Sequence, residues 1–452
     1  MNNVENIAMA PPMVSPVDRR LPLAPMFAYG LQHVLAMYAG AVAVPIIIAQ
    51  ALNLDTVAMT NLINADLMAA GVATLIQTLG FWKIGAKIPM IQGVSFASVA
   101  PMIVIGKDLG LPGIFGAVMI AGLVAFLLSP YFSRLIRFFP PVVTGPIVIS
   151  IGLILASSAI ANCQTNWLVA VIGVAVIVIC NIWGRGMVKI VPILLGVVVS
   201  YAVAAALGEV DFSGVAAAPW VGLPIVWDNT VFALFGPQFD SGLATTAIIT
   251  IMPLAFATMI EHIGDISAIG STCERNYIAD PGLHRTLLGD GLATILASLF
   301  GAPANTTYGE NTGVLALTRV FDPRVIRIAA CCAIVLSFCP KFAAVIAAMP
   351  ACVIGGVSLV LYGMISAVGV RNLIENQVDF QNNRNVLVAA LVLVLSLGIA
   401  YSTAGAIVLE LGGVTISLSG LAVGSLVGIV LNAILPGNDF EFDTSELEET
   451  AE

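Results

Sequence analysis

The sequence predicts an all-α integral membrane protein of fourteen transmembrane segments, built as a seven-plus-seven inverted repeat. Three observations carry this expectation. Of the 452 residues, 59% are hydrophobic and 10% charged, with a mean hydropathy of +1.02, whereas a soluble domain carries about 25% charged residues. Apolar runs close to the roughly 20 residues that cross a bilayer recur along the chain. Two motifs also recur at matching places in its two halves.

The runs lie near 24–48, 62–82, 91–106, 111–130, 140–160, 167–183 and 188–207. A polar stretch, 208–241, separates them from a second set near 242–262, 286–301, 305–318, 325–339, 350–370, 385–400 and 418–435. Residues 1–23 lack the basic start, apolar run and small-residue cleavage site of a signal peptide, so the first span is expected to direct insertion. Residues 437–452 form an acidic tail from Asp439 to Glu452 that contributes much of the net charge of −9. With the N-terminus in the cytoplasm, fifteen of the seventeen Lys and Arg residues fall on the cytoplasmic side, Lys107 and Lys341 being the exceptions. That asymmetry is the positive-inside pattern, and both termini are then cytoplasmic.

The seven cysteines form no CxxC pair and most sit in apolar runs, so they read as small buried side chains. No cofactor or metal is expected. There is no GxxxxGK[ST] loop to bind ATP, and no nucleophile–base pair or metal cluster suggests an enzyme. Any pumping must draw on an ion gradient.

Internal symmetry is visible at two places. Phe139-Pro140-Pro141-Val142-Val143-Thr144-Gly145 opens span five, and Met349-Pro350-Ala351-Cys352-Val353-Ile354-Gly355 opens span twelve. Seven spans is an odd number, so the second copy enters the membrane inverted, as in many secondary transporters. Span three opens Ile91-Gln92-Gly93-Val94-Ser95-Phe96, and span ten opens Asn305-Thr306-Thr307-Tyr308-Gly309-Glu310. Both are short, rich in small residues, and polar before they become apolar. Each predicts an extended stretch followed by a half-helix that starts at mid-membrane, where non-helical backbone must line a cavity or be buried in protein.

Carboxylates inside spans are functional by default, because an ion at the bilayer centre costs at least ~2.5–3.5 kcal/mol. Four qualify: Glu261, Asp265, Asp290 and Glu310. Glu261 and Asp265 are four apart, on one helix face, and clustered carboxylates suit proton uptake and release. Asp265 and Asp290 have a blander reading, as helix caps or partners of backbone amides. His33 is expected to make an interhelical hydrogen bond, His284 to be inert in a cytoplasmic loop, and His262 to face away with no role.

The run Glu310-Asn311-Thr312-Gly313, followed by Thr318-Arg319, resembles the signature of the nucleobase–ascorbate transporter family. Gln32-His33, Ser95-Phe96-Ala97 and Glu261-x3-Asp265 resemble the same family, and the likeness spans about residues 21–435. It implies a core domain (24–130 and 242–339) and a gate domain (131–207 and 340–436), with 208–241 as an extracellular loop. It further implies a homodimer in the cytoplasmic membrane of a bacterium. Within the family, Thr307-Tyr308-Gly309-Glu310-Asn311 resembles the branch that carries uracil.

The resemblance implies that Glu261 and Glu310 bond the base, that the Tyr308 and Gly309 backbone adds to this, and that Phe96 packs on the ring. Glu261, Asp265 and Asp290 would couple the proton, with His33, Asn311 and Ser95 in support. The expected partners are therefore uracil or a related nucleobase, a proton, the lipid bilayer and a second copy, and no nucleic acid. Uracil carriers often place His where Asp265 stands, and Asp265 with Asp290 is closer to purine carriers. A xanthine or urate symporter is the alternative expectation. An anion exchanger of the same architecture is a distant one, since Glu310 would repel an anion.

Overall fold

The computed structural model describes Val17 and residues 20–131, 138–235, 241–411 and 414–437. The acidic tail, the stretch holding Arg134 and Arg137, the end of the 208–241 loop and most of the N-terminal lead lie outside the described residues. The chain is mostly helical.

The first half runs through α1 (Leu23–Ala51), α2 (Thr56–Leu79), β1 (Gln92–Val94), α3 (Val99–Leu128), α4 (Pro141–Cys163), α5 (Trp167–Trp183) and α6 (Pro192–Ala206). The second half begins with α7 (Ser241–Cys273), α8 (Leu283–Phe300), β2 (Asn305–Thr307), α9 (Gly309–Thr318), α10 (Pro323–Ser337) and α11 (Pro340–Ala347). It ends with α12 (Ala351–Glu375), α13 (Asn383–Ala400), β3 (Ala406–Leu411), β4 (Val414–Ser419) and α14 (Gly420–Ile434).

Helix ends follow local chemistry. Asp55 caps α2 by accepting from the Ala58 amide at 2.7 Å, and Gly80 ends it at φ +55°, a conformation that suits glycine. Asn166 caps α5, Asp322 caps α10 ahead of Pro323, and Ser419 caps α14.

Among the described residues, six helices (α1, α2, the second part of α3, α4, α12 and α13) are long and apolar enough to cross a membrane by length and composition. The α10–α11 pair, bent by 84°, makes a seventh if taken as one span. The helices α5, α6 and α14 are shorter apolar ones. Leu168, Val171, Ile179 and Ile182 of α5 all stand exposed, as side chains that face lipid should.

Several elements differ from the sequence expectation. Spans three and four are the two parts of α3, separated as expected at a break where Gly110 adopts φ +65°, although the helix of span three starts only at Val99. Span eight does not end at 262, because α7 continues to Cys273. Consequently Asp265 is not a helix cap, and Asp290, in the middle of α8, is not one either. A β3–β4 hairpin also occupies 406–419, where a loop was expected. Its β4 sequence, Val414-Thr415-Ile416-Ser417-Leu418-Ser419, alternates apolar and polar residues with the period of a strand.

The two helices that carry the proline–glycine motif meet in space, each motif lying against the far end of the other helix. The helices α4 and α12, which each open on one copy of the proline–glycine motif, lie antiparallel and make the most extensive contact between described elements. Small residues bring their backbones together. A methyl group at Gly152 would stand 2.2 Å from the Tyr362 carbonyl, and one at Gly355 would stand 2.6 Å from the Cys163 amide. Such close small-residue contacts are how helices associate in lipid. The two polar openings meet as well. Strands β1 and β2 pair antiparallel, with Gln92 opposite Thr307, Gly93 opposite Thr306 and Val94 opposite Asn305. All six residues are buried.

Candidate functional site

The β1–β2 crossing is the centre of the site. Each strand is buried backbone that leads directly into a helix: β1 into a short 3₁₀ turn at Phe96–Ser98 and then α3, β2 through Tyr308 into α9. The extended-then-helical reading of both segments therefore matches the structure. The first turn of each helix begins deep inside the protein, where its amide groups have no intrahelical partner.

Tyr308 locks the crossing. Its amide donates to the Ile91 carbonyl at 2.9 Å, and its hydroxyl accepts from the Val94 amide at 3.1 Å. The ring lies so close to Gly93 that an added methyl would sit 2.4 Å from it. The Tyr308 amide is thus committed within the protein, and Tyr308 shapes the site through its ring and hydroxyl.

The helix α7 runs past this crossing and supplies two of the sequence-nominated carboxylates. Ser95, at the start of the first half-helix, donates its hydroxyl to Glu261 Oε2 at 3.3 Å. One turn on, Asp265 Oδ1 would be 3.0 Å from a methyl placed on Gly309, the first residue of α9. Glu261 and Asp265 therefore address the starts of the two half-helices from one face of one helix.

Phe96 is buried and meets Tyr362 of α12 edge to face, with centroids 6.1 Å apart and planes at 76°. Asn311 binds α9 to α1, its Nδ2 donating to the His33 carbonyl at 3.0 Å and lying 3.1 Å from His33 Nδ1. Glu310 is the second residue of α9; its side chain lies outside the described set.

Asp290 meets His262. The His262 Nδ1 lies 2.8 Å from Thr307 Oγ1 and 3.3 Å from Asp290 Oδ1. The second distance is close without hydrogen-bond alignment, since the ring nitrogen is aimed at Thr307. Thr307 also accepts from Gln92 Nε2 at 3.1 Å. His262 is fully buried, so the expectation that it has no role is corrected. It faces away from Glu261 but into the rear of the strand crossing. A histidine in span eight and an aspartate in span nine, both at membrane depth, were the signal available in the sequence.

Asp66 was also missed. It sits in the middle of α2 at 0% exposure, and neither carboxylate oxygen has a hydrogen-bond partner among the described residues. Its neighbours Ala65 and Ala69 pack against Ala297 and Ala302, on the chain that leads into β2.

Residues 25–405 match the family model described as "Permease family". The chain is 36% identical over 439 residues to the uracil permease of Bacillus subtilis (strain 168), covering 93% of this chain and 94% of that one. It is 35% identical to the uric acid permease PucJ of the same organism, covering 90% and 92%. Against the uracil permease of Escherichia coli (strain K12) it is 35% identical, covering 92% and 93%. Among solved structures, the transmembrane domain of a cyanobacterium bicarbonate transporter, BicA, superposes with a TM-score of 0.57 at 15% identity, covering 90% of this chain and 96% of that one. At that identity the likeness speaks for the fold alone, an inverted-repeat transporter fold. A chain with several membrane-type helices, two broken segments crossing in its interior and this much sequence in common with permeases is a membrane transporter and not an enzyme, and it belongs to the nucleobase–ascorbate transporter family.

Proposed function

We propose that this protein carries a nucleobase, uracil first, across the cytoplasmic membrane together with a proton. The observation that carries the reading is the placement of Glu261 and Asp265 one turn apart, at Ser95 and at Gly309. Uracil presents two N–H donors and two carbonyl acceptors. An ionised carboxylate can only accept, whereas a protonated one also donates. A carboxylate between two half-helix starts therefore binds the base differently in its two protonation states, and that difference links proton to substrate. Glu310, at the second position of α9, adds a second acceptor, and the α9 backbone from Gly309 completes the polar edge. Phe96 covers the ring.

The remaining architecture follows from this reading. Fourteen segments divide into a core (24–130, 242–339) and a gate (131–207, 340–436), joined by the outer loop 208–241. Phe96 belongs to the core and Tyr362 to the gate, so their edge contact lies where the two would separate during alternating access. Both termini are cytoplasmic, and two copies form the functional dimer.

A purine reading has its own support. Asp265 with Asp290 follows the purine pattern, and a uric acid permease stands among the relatives at 35% identity. Uptake of labelled uracil with xanthine, urate and thymine as competitors separates the two. No saturable uptake of labelled uracil, in cells that take up labelled xanthine or urate through this protein, rejects the uracil assignment.

A further inference from the structure

Away from the strand crossing, one end of the bundle holds a cavity of about 790 Å³, within the roughly 300–1,000 Å³ of small-molecule sites. Six cations line it: Arg20, Lys87, Arg275, Arg285, Arg324 and Arg327. Asp322 is the one acid of the lining among the described residues, and it is committed to Arg324, whose Nη2 stands 2.7 Å away. Arg275 pairs with Asp280 at 2.9 Å. The other four have no carboxylate partner among the described residues.

Two of those four are built into the wall. Arg285 donates one Nη2 to the Trp82 carbonyl at 2.7 Å, and Arg327 donates one to the Thr78 carbonyl at 2.6 Å. In both side chains the Nε is buried, with no hydrogen-bond partner among the described residues. A guanidinium held at one corner by a backbone carbonyl, with no carboxylate partner among the described residues, is pre-organised to turn its remaining Nη donors toward a planar or tetrahedral oxyanion. The positive field also reaches His284, which is held below its ordinary value by burial first, and then by the charges of Arg285 and Lys83.

We propose that this cavity binds a phosphate-bearing anion at the cytoplasmic end of the transporter. The side rests on the orientation given under the proposed function; the site itself does not. Phosphate is the shared chemistry of two sources, an anionic phospholipid headgroup and a soluble phosphorylated metabolite. Either would bridge α2, α8 and α10, whose ends carry the anchoring arginines and their carbonyl partners, and would therefore stiffen the core at its inner end.

The test uses the full-length protein in nanodiscs and reads binding without transport, so an error in the transported base does not affect it. In phosphatidylcholine discs, inorganic phosphate and uridine monophosphate are titrated while the melting temperature and bound probe are followed. In a second series, phosphatidylglycerol replaces part of the lipid. A saturable rise in melting temperature in the first series identifies a soluble ligand, and one confined to the second identifies a headgroup. The double substitution Arg285→Gln with Arg327→Gln is expected to weaken the effective probe by about tenfold or more, the loss of at least one charge-assisted hydrogen bond. Exposed Arg20→Gln weakens it without disturbing those wall contacts. Arg371→Gln, exposed and outside the cavity lining, leaves it unchanged. Absence of binding in both series overturns the proposal, as does an equal loss with Arg371→Gln, which would reduce the cluster to the general charge asymmetry of the insertion signal.

Discussion

His262 Nδ1 stands 2.8 Å from Thr307 Oγ1, and this contact fixes α7 to the rear of the strand that opens the second half-helix. Thr307 takes part in a second contact, accepting from Gln92 Nε2 of the partner strand. One hydroxyl therefore ties a helix and two unwound segments together among buried side chains.

Thr307→Val removes that hydroxyl at almost constant volume. It leaves the His262 Nδ1 and the Gln92 amide without their partner, and each buried unsatisfied group costs about 1–3 kcal/mol. The expected result is a clear drop in melting temperature, with uptake lost beyond what the lower amount of folded protein explains. An unchanged melting temperature in purified Thr307→Val would show that the contact is not structural.

Gly93 offers a steric test of the same crossing. A methyl there meets the Tyr308 ring at 2.4 Å, and Tyr308 is held by both Ile91 and Val94, so it has little room to retreat. Gly93→Ala is expected to cost about 1–3 kcal/mol as an overpacking change and to abolish substrate binding by displacing the start of α9. Wild-type stability together with wild-type uptake in this variant would contradict the packing described.

The sequence made the crossing legible because its physical demands are local. Small and polar residues at Gln92–Ser95 and Asn305–Gly309 cannot form a lipid-facing helix, so an interior break followed. The carboxylates were legible because charge inside an apolar run is conspicuous, as was the Glu261–Asp265 spacing. What a sequence does not carry is angular detail in three dimensions. His262 was set aside because it follows Glu261, although a 100° step around α7 turns it toward Thr307 and Asp290. Asp66 escaped because its span, Thr56–Leu79, is the most polar of the six membrane-length helices, and one more polar residue did not stand out. The 84° bend between α10 and α11 and the β3–β4 hairpin depend on packing against other elements, which local periodicity does not report.

Asp66 itself yields a prediction. A buried carboxylate with no donor among the described residues for either oxygen costs the fold more than it supports it, and an ionisable group retained inside a membrane protein points to function. Asp66→Asn is therefore expected to keep the melting temperature or raise it, while lowering concentrative uptake. Equal uptake in Asp66→Asn and wild type would mean that the carboxylate is a passive part of the α2–α8 packing.

Coupling is tested most directly at Glu261. In the proposed cycle its carboxylate takes and releases the transported proton while bonded to Ser95 at the start of the first half-helix. Glu261→Gln keeps the shape and one amide donor but cannot exchange a proton, so it imitates a carrier held in the protonated state. Such a variant is expected to bind uracil and to exchange it across the membrane, yet to fail to concentrate it. Counterflow in preloaded vesicles reads the exchange, and net uptake under an imposed proton gradient reads the concentration. Ser95→Ala, which removes only the hydroxyl partner, should weaken binding while leaving accumulation coupled to the gradient. If Glu261→Gln accumulates uracil against its gradient and still responds to a protonophore, the proton is carried elsewhere. Asp290, beside His262, is then the group to substitute next.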